Sequence, residues 1–564
     1  FGLHGLTAAP DAAHPRDDVI TLTEAEADRL ADDFYAGWGR APTREEARAL
    51  LYHAGVTANP AGKTTSWIGL DDQLHRAEAD GSPAVPQKVR YRTISLETPA
   101  GGLAIFPPPH RYFYPLDEAY NLGFTWRGTD FMKQVPGFGA GIRHDPRGDR
   151  RWVPWFNAPP GTEQKLGIFW LPSRERGEKL IERVKAYTHG DRYPEVAGHK
   201  TFTSHYHIEH TTKFIKERAK DKSRGVPPGL EKPGFVDVFK KTGVRIVHLA
   251  EFHNRLGRDR RKPAKAFPLL KLLHDECARL SDDRLLLLPG EEPNVHLGGH
   301  WISFFPRPVM WALNRPGNKP FMEEHPEFGR VYHVGSAEDV LKLMELEGGL
   351  MWAAHPRIKS STGYPDRYRD EPFFKSRHYL GGAWKPMPAD LSRPRLGWRV
   401  LDLLDDTANW GAKKYILGEV DIFQVDRSTE FYAHSNINYL RLDRVPLYEE
   451  GWAPVLKSLR DGAFFISTGE VLLPKFSVSG KASGETLELE ASGRASLEAS
   501  LSWTFPMAFA EIVTGDGKNV YRTRIDLADT GAYGERSLKL PIDLKTKKWV
   551  RFAAWDVAAN GVIS

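Results

Sequence analysis

Short apolar segments alternate with amphipathic segments over residues 199–470. Strand-like segments such as VRIVHLAEF (244–252) and RLLLLPGEE (284–292) are followed by helix-like segments such as FPLLKLLHDECARL (267–280) and SAEDVLKLMELEGG (336–349). Regular alternation of this kind predicts βα units around a parallel sheet or a barrel. The loops between several of these units are long, which is typical of folds that build a site on their loops.

The pattern differs on either side of this region. Residues 1–85 contain a tail and two capping-box helix signals, whereas residues 86–190 read as strands with Gly/Pro turns followed by a charged linker helix. From residue 471 onward, strand-like segments alternate with turn residues, which is typical of a β-sandwich. We therefore predict a multidomain α/β plus β chain in four parts: a helical cap (1–85), a β-domain (86–190), an α/β barrel (191–470) and a C-terminal β-sandwich (471–564).

Composition narrows the classes of function. The chain has 564 residues and a formal net charge of only +5, which argues against a dedicated nucleic-acid binder. No apolar run reaches the roughly 18 residues that a membrane span needs. The single cysteine, Cys277, excludes a disulfide within the chain and is expected to be buried. The 16 tryptophans, the 41 prolines and the start at Phe1 rather than Met favour an exported location over the cytoplasm.

Two basic segments, KFIKERAKDKSR (213–224) and NRLGRDRRKPAK (254–265), follow predicted strands. They are either solvated surface segments or a positive rim that attracts an anionic substrate. Of the two interpretations, solvated surface segments are preferred. The expected partner is a small molecule or a carbohydrate, and an anionic substrate and a homo-oligomer are both left open.

Histidines and carboxylates collect where the predicted strands end. In a barrel, the carboxyl ends of the strands point toward one site, so these side chains are expected to converge. Mixed imidazole and carboxylate ligands suit Zn²⁺, Mn²⁺ or Fe²⁺ better than Mg²⁺ or Ca²⁺. A lone strand histidine is more often structural than a ligand, but six at successive strand ends favour a metal site. The residues in question are His205, His207, Glu209, His210, Glu251, His253, Glu291, Glu292, His296, His300, His355, Glu419, Asp421, His434 and Asn436.

The order of these residues resembles a known family. An HxH pair, a strand ending in H-N, then G-x-E, a histidine and H-P are similar to the motifs of the PHP (polymerase and histidinol phosphatase) superfamily, especially its carbaryl-hydrolase-like metallohydrolases. The segments WAPVLKSLRDGAFFISTGE (452–470) and KKWVRFAAWDVAANG (547–561) resemble the closing helix–strand pair and the C-terminal β-module of that branch. The resemblance covers residues 199–564 and implies a distorted (β/α)7 barrel with two or three metal ions and a bridging hydroxide.

The resemblance also implies a set of metal ligands. Phe252 stands where the family has aspartate, so Glu209 or Asp421 is a candidate for the missing carboxylate. Glu291 is an alternative to Glu292, and Asn436 is a weaker candidate beside His434 in the AHSN segment. One, two or three ions therefore stay open, as does an inactive barrel. The predicted ligands are His205, His207, His253, Glu292, His300, His355 and His434.

The expected chemistry follows from such ions. A bound divalent cation lowers the pKa of water from about 15.7 to about 7 and so produces hydroxide at neutral pH. We expect a hydrolase of a phosphoester, carboxyl ester or carbamate, in which His210 (or His253) protonates the leaving group and Glu209 orients a ligand imidazole. The alternatives are a metal-dependent carbohydrate lyase, in which the metal stabilises an enolate, and a binding protein that has lost its metals.

Overall fold

The computed structural model describes residues 64–69, 74–78, 89–98, 100–111, 123–126, 139–142, 169–221, 225–251, 263–357, 365–384, 400–419, 421–422, 425 and 431–564. The chain divides into two units, Phe1–Gly190 with Ser428–His434, and Asp191–Arg427 with Ser435–Ser564. The finer division into four domains stays a prediction.

The strands are β1 Thr64–Gly69, β2 Leu74–Glu78, β3 Val89–Thr98, β4 Gly101–Phe106, β5 Gly123–Trp126, β6 Gly139–Ile142, β7 Phe169–Ser173, β8 His199–Tyr206, β9 Ile246–Glu251, β10 Leu286–Glu291, β11 Trp301–Phe304, β12 Met310–Ala312, β13 Met322–His325, β14 Gly329–His333, β15 Leu350–Ala354, β16 Tyr379–Trp384, β17 Tyr415–Gly418, β18 Ile437–Arg441, β19 Phe464–Ser467, β20 Val471–Val478, β21 Arg494–Trp503, β22 Met507–Gly515, β23 Val520–Asp526, β24 Gly534–Asp543, β25 Trp549–Asp556 and β26 Gly561–Ile563. The helices are α1 Gly177–Ala186, α2 His210–Asp221, α3 Gly234–Thr242, α4 Pro263–Leu280, α5 Ala337–Glu347, α6 Pro372–Lys375, α7 Val400–Asn409, α8 Phe431–His434 and α9 Ala453–Asp461.

The first unit contains a five-stranded antiparallel sheet in the order β2-β1-β3-β4-β7, with β5 and β6 as a separate pair. Strands β1 and β2 precede residue 86, where the β-domain was predicted to begin, and they join its sheet because β1 pairs with β3. The two predicted capping-box helices of the N-terminal cap lie outside the described residues.

The second unit is built on a thirteen-stranded sheet in the order β17-β16-β15-β11-β10-β9-β8-β18-β19-β26-β25-β22-β23. Strands β8, β9 and β10 run parallel to one another, as do β15, β16 and β17. Strand β11 runs antiparallel to both of its neighbours, β10 and β15. The sheet is therefore mixed, whereas the alternation of segments predicted a parallel sheet or a barrel. The short connection from β10 to β11 explains this, because antiparallel neighbours need no helical crossover.

Local signals define several helices of this unit. The hydroxyl of Ser336 accepts the N–H of Asp339 and caps the start of α5, whose end is closed by Gly348 at a φ of 66°.

Strands β9 and β10 are buried along their whole length, in keeping with their continuous apolar sequence. The predicted burial of Cys277 on α4 is confirmed. Among the residues that the structure describes, no helix has both the length and the apolar character needed to cross a membrane.

The two ends of the α/β part of this sheet are linked by isolated contacts. Tyr206, at the end of β8, forms a single parallel bridge with Ile422, which follows β17. The amide group of Asn438 on β18 donates to the carbonyls of Phe202 and Gly418, at 3.2 and 2.9 Å, and accepts the N–H of Gly418 at 2.9 Å. No continuous strand ladder joins β17 to β8 within the described ranges, so the closed barrel stays a prediction.

The C-terminal strands share a core with the α/β part. One apolar cluster contains Phe202 and Trp352 from the α/β part together with Phe509 and Trp555 from β22 and β25. Strand β26 pairs with β19 and thereby joins the C-terminal strands to the large sheet, while β20, β21 and β24 form a separate three-stranded sheet. The sandwich geometry of this part also stays a prediction.

Gly290 on β10 lies against a buried histidine. The Nε2 atom of His248 lies 3.1 Å from the carbonyl of Ser303 and must donate to it, so Nδ1 accepts from the hydroxyl of Ser204 at 3.1 Å. Burial lowers the pKa of His248 to about 3, so the imidazole is neutral at physiological pH. A Cβ atom at Gly290 would lie 1.7 Å from this Nε2. The glycine is therefore required by the fixed ring opposite it.

We expect Gly290→Ala to lower the free energy of unfolding by about 2–3 kcal/mol, because the ring of His248 cannot move without breaking two buried hydrogen bonds. Urea denaturation of the purified chain would measure this. Gly317→Ala is the matched control, since a Cβ there meets no atom within 4 Å; we expect a change of less than about 0.5 kcal/mol. Equal stability of the two variants would contradict the close packing at Gly290.

Candidate metal centre

One edge of the large sheet carries five of the seven predicted ligands. His205 lies near the end of β8, Glu292 follows β10 and His355 follows β15. Because β11 is antiparallel to its neighbours, its beginning lies at this same edge. His300 directly precedes β11, and its carbonyl accepts the N–H of Ala354 at 3.1 Å. Asp421 reaches the edge in the segment after β17. Residues separated by more than 200 positions in the sequence thus meet at one place.

The first group of ligand atoms belongs to His205, His207, Glu292 and Asp421. All of these atoms lie within 4.8 Å of one another, and all four residues are buried. The Nε2 atoms of His205 and His207 lie 3.2 and 3.1 Å from the two carboxylate oxygens of Glu292, and each lies 3.3 Å from Oδ1 of Asp421. Two imidazoles and two carboxylates form a donor set that suits a divalent transition metal.

The second group consists of Glu292, His300 and His355. Oε1 of Glu292 lies 2.9 Å from Nδ1 of His300 and 3.0 Å from Nε2 of His355. Glu292 therefore belongs to both groups, while Oδ2 of Asp421 lies 3.8 Å from Nε2 of His355. Each group could hold one divalent ion, and Glu292 could contribute to both.

The backbone is strained at three of these residues. His205, His355 and Asp421 have φ angles of 71°, 36° and 55°, in the left-handed region that non-glycine residues rarely adopt. Such conformations cost of order 1–3 kcal/mol each and cluster at functional sites, where the surroundings hold them. At His205 the strain coincides with a register shift between β8 and β9. A distortion of β8, rather than a regular strand face, brings His205 and His207 together.

A buried carboxylate orients His205. Nδ1 of His205 lies 2.9 Å from Oε1 of Glu419, and the indole N–H of Trp352 donates to Oε2 of Glu419 at 3.2 Å. Since the carboxylate accepts, the proton of the neutral ring resides on Nδ1, and Nε2 presents its lone pair to the first group. Carboxylate partners of this kind fix the tautomer and direction of metal-binding histidines. The sequence analysis placed Glu419 at a strand end but predicted no role for it. Its position two residues before Asp421 in GEVD was the one sequence feature that could have indicated that Glu419 lies near the site.

The electrostatics of the edge favour a positive charge. Burial opposes charge on His205, but Glu292, Asp421 and Glu419 outweigh it and hold the pKa of His205 well above its usual range. Burial also opposes charge on Glu292, yet His205, His207 and His300 hold the pKa of that carboxyl well below its usual range. The carboxylate of Glu292 thus stays ionised and requires compensating cations, which protons on imidazoles or a metal ion can supply, whereas burial raises the pKa of Glu419.

The other predicted residues lie elsewhere or outside the described part. His210 begins α2, is buried, and has its Nε2 2.7 Å from Oε2 of Glu276 on α4. Glu209 precedes α2 with a φ of 59°. His434 ends α8 in the first unit, and neither ligand group includes these three residues. His253 lies outside the residues that the structure describes.

The structure distinguishes the alternatives left open for the carboxylates. Of Glu291 and Glu292, it is Glu292 that lies with the histidines, whereas Glu291 is the last residue of β10 and pairs in register with Glu251. Of Glu209 and Asp421, it is Asp421 that lies beside His205 and His207. The resemblance already favoured Glu292 through the G-x-E motif, whereas the position of Asp421 beside the histidines depends on which strand ends are neighbours.

No protein-family model matches this chain, and no curated protein matches it. Membership of the PHP superfamily therefore stays a prediction that rests on the order of the motifs.

We expect Glu419→Ala to weaken metal binding by about 10–100-fold, because the ring of His205 loses the partner that fixes its tautomer. Competition with a chromophoric chelator would measure the affinity. Glu498→Ala is the control: this glutamate lies between Lys475 and Lys539 on the surface of β21, and its removal leaves the edge unchanged. Wild-type affinity in Glu419→Ala would show that His205 is oriented without Glu419.

Proposed function

We propose that this protein is a metal-dependent hydrolase of an ester-type bond, either a phosphoester, a carboxyl ester or a carbamate. The observation that carries the proposal is the position of Glu292, whose carboxylate lies between two groups of potential ligands. Centres with two nearby ions and a shared ligand are well suited to hydrolysis, because both the attacking and the departing oxygen can be stabilised.

The proposed ligands divide between two ions. His205, His207 and Asp421 would hold the first, His300 and His355 the second, and Glu292 would serve both. The donor set, with four imidazoles and two carboxylates, favours zinc, manganese or iron. When bound, such ions lower the pKa of water toward neutrality and polarise the oxygen under attack.

The protein's own residues supply orientation and access. Glu419 fixes the ring of His205, and Trp352 in turn fixes Glu419. The side chain of His300 is 16% exposed, whereas those of His205, His207 and His355 are at most 3% exposed. A substrate would therefore approach from the side of His300. The low-dielectric layer of Ile302 and Trp352 beneath strengthens electrostatic interactions at the edge.

The residues that move protons stay a prediction. His210 and Glu209 follow His207 closely in the sequence. His210 is the candidate that protonates the leaving group, and Glu209 is the candidate that orients a ligand imidazole. The ring of His210 packs against Phe214 and Phe235 and pairs with Glu276. This environment supports a structural role for His210 at the start of α2.

We also propose that the α/β part is a PHP-type barrel. The histidines and the glutamate that match the HxH, G-x-E, H and H-P motifs lie at one sheet edge, which supports the resemblance. The bridge between Tyr206 and Ile422 and the hydrogen bonds of Asn438 link the two ends of this part of the sheet, which supports closure.

Protein purified without a histidine tag or added metal should contain about two equivalents of zinc, manganese or iron per chain. Plasma mass spectrometry would measure the content. In His207→Ala the content should fall by at least half, because the first group loses one of its two imidazoles. His325→Ala removes a histidine of β13 outside both groups and should leave it unchanged. Absence of metal, even after incubation with each ion, would instead favour the binding-protein alternative.

On a panel of esters, carbamates and phosphoesters, we expect activity to be lost when the metal is chelated and restored when metal is added back. In Asp421→Ala we expect activity to fall about a hundredfold or more, because loss of a direct ligand should cost at least as much as loss of a residue that orients a ligand. Reaction in heavy-oxygen water would show whether water is consumed: a hydrolase incorporates one heavy oxygen into product. A product released without incorporation would replace the hydrolase with the lyase.

A further inference from the structure

A cavity of about 570 Å³ lies in the second unit, away from the metal centre. It is formed by α9, the chain just before β17, the end of β18 and the loop over residues 481–486. We call it the basic groove, because five cationic side chains line it: Lys413, Arg441, Lys457, Arg460 and Lys481. These residues come from four separate segments of the chain.

The basic groove lies at the opposite edge of the sheet from the ligands. Arg441 pairs in register with His199, the first residue of β8, whereas His205 lies at the other end of that strand. Lys413 likewise precedes β17, while Glu419 follows it. The two sites therefore occupy opposite ends of the same strands.

The positive charge of the groove is not compensated by its own carboxylates. Two acidic residues line it. Asp461 forms an ion pair with Lys457, and the carboxylate of Glu485 accepts the backbone N–H of Ala482 at 2.7 Å. In the described part of the chain, no carboxylate lies within ion-pair distance of Arg441, Arg460 or Lys481. With five cations and two carboxylates, the formal charge of the groove is +3 at neutral pH.

The walls of the groove are held in place. The carbonyl of Gly484 accepts from Nζ of Lys413 at 2.5 Å, and the carbonyl of Ser483 accepts from the guanidinium of Arg441 at 3.3 Å. Gly484 has a φ of 82°, and a Cβ atom there would lie 1.9 Å from the carbonyl oxygen of Asp461 at the end of α9. The loop therefore packs directly against the helix, which fixes the two cations without neutralising them.

We propose that the basic groove binds a small molecule bearing two or more phosphate or sulfate groups. Arginine and lysine side chains are the usual partners of such groups, and a multiply charged anion matches a groove of net charge +3. A volume of about 570 Å³ is much larger than one tetrahedral oxyanion requires, given that a water molecule occupies about 30 Å³. The site is independent of the proposed hydrolytic activity.

Calorimetric titration of the full-length protein with inorganic tripolyphosphate tests the proposal. The groove variant is Arg460→Gln with Lys481→Gln, which removes two unpaired cations and keeps polar side chains on the surface. The control is Lys271→Gln with Lys375→Gln, which removes the same charge from α4 and α6 outside the groove. His207→Ala identifies any binding at the metal centre, and thermal unfolding verifies that each variant is folded.

The wild type should bind tripolyphosphate with an affinity that falls as salt is added, and the groove variant should bind about tenfold more weakly or worse, since two ion pairs are lost. The control and His207→Ala should bind like the wild type. Three results would overturn the proposal. The first is that the wild type does not bind tripolyphosphate at low salt, and the second is that the groove variant and the control are weakened equally. The third is that His207→Ala loses binding while the groove variant binds like the wild type.

Discussion

The pairing of the Glu292 carboxylate with four histidines is the interaction on which the candidate metal centre depends. It is 1% exposed, and nitrogens of four histidines approach its two oxygens at 2.9–3.2 Å. A buried carboxylate costs several kcal/mol unless it is paired and hydrogen-bonded, so the ends of β8, β11 and β15 must stay close to the end of β10. One side chain thereby constrains four strands at the same edge.

The same edge stores backbone strain that the core beneath it offsets. His205, His355 and Asp421 adopt left-handed conformations, and each lies in, or shortly after, a strand whose side chains contribute to one large apolar cluster. The neighbouring histidine His248 shows how strongly the surroundings decide the state of a ring. Its ring nitrogens bond to Ser204 and Ser303 and burial keeps it neutral, whereas three carboxylates keep the pKa of His205 high. Identical side chains on adjacent strands thus serve as a core hydrogen-bonding group and as a candidate ligand.

The C-terminal strands are part of this arrangement rather than an appendage. They continue the large sheet through β26, contribute Phe509 and Trp555 to the shared core, and place Arg522 and Arg551 against Asp405 of α7. The loop over residues 481–486, between β20 and β21, lines the basic groove at the edge opposite Glu292. Two polar sites at opposite ends of the same buried strands are compatible with a stable core, because the apolar middle of each strand stays intact.

The sequence by itself determined the local features. The alternation of apolar and amphipathic segments predicted the α/β and β character, the burial of Cys277 and helices such as α4 and α5, since these depend on neighbours a few residues away. Residue type and position at strand ends singled out His205, His207, Glu292, His300 and His355. Tertiary structure alone decided the antiparallel direction of β11, the position of Asp421 rather than Glu209 beside His205 and His207, the orienting role of Glu419 and the pairing of His210 with Glu276. Each of these depends on contacts between segments that are distant in the chain, and no local pattern encodes which strand ends become neighbours.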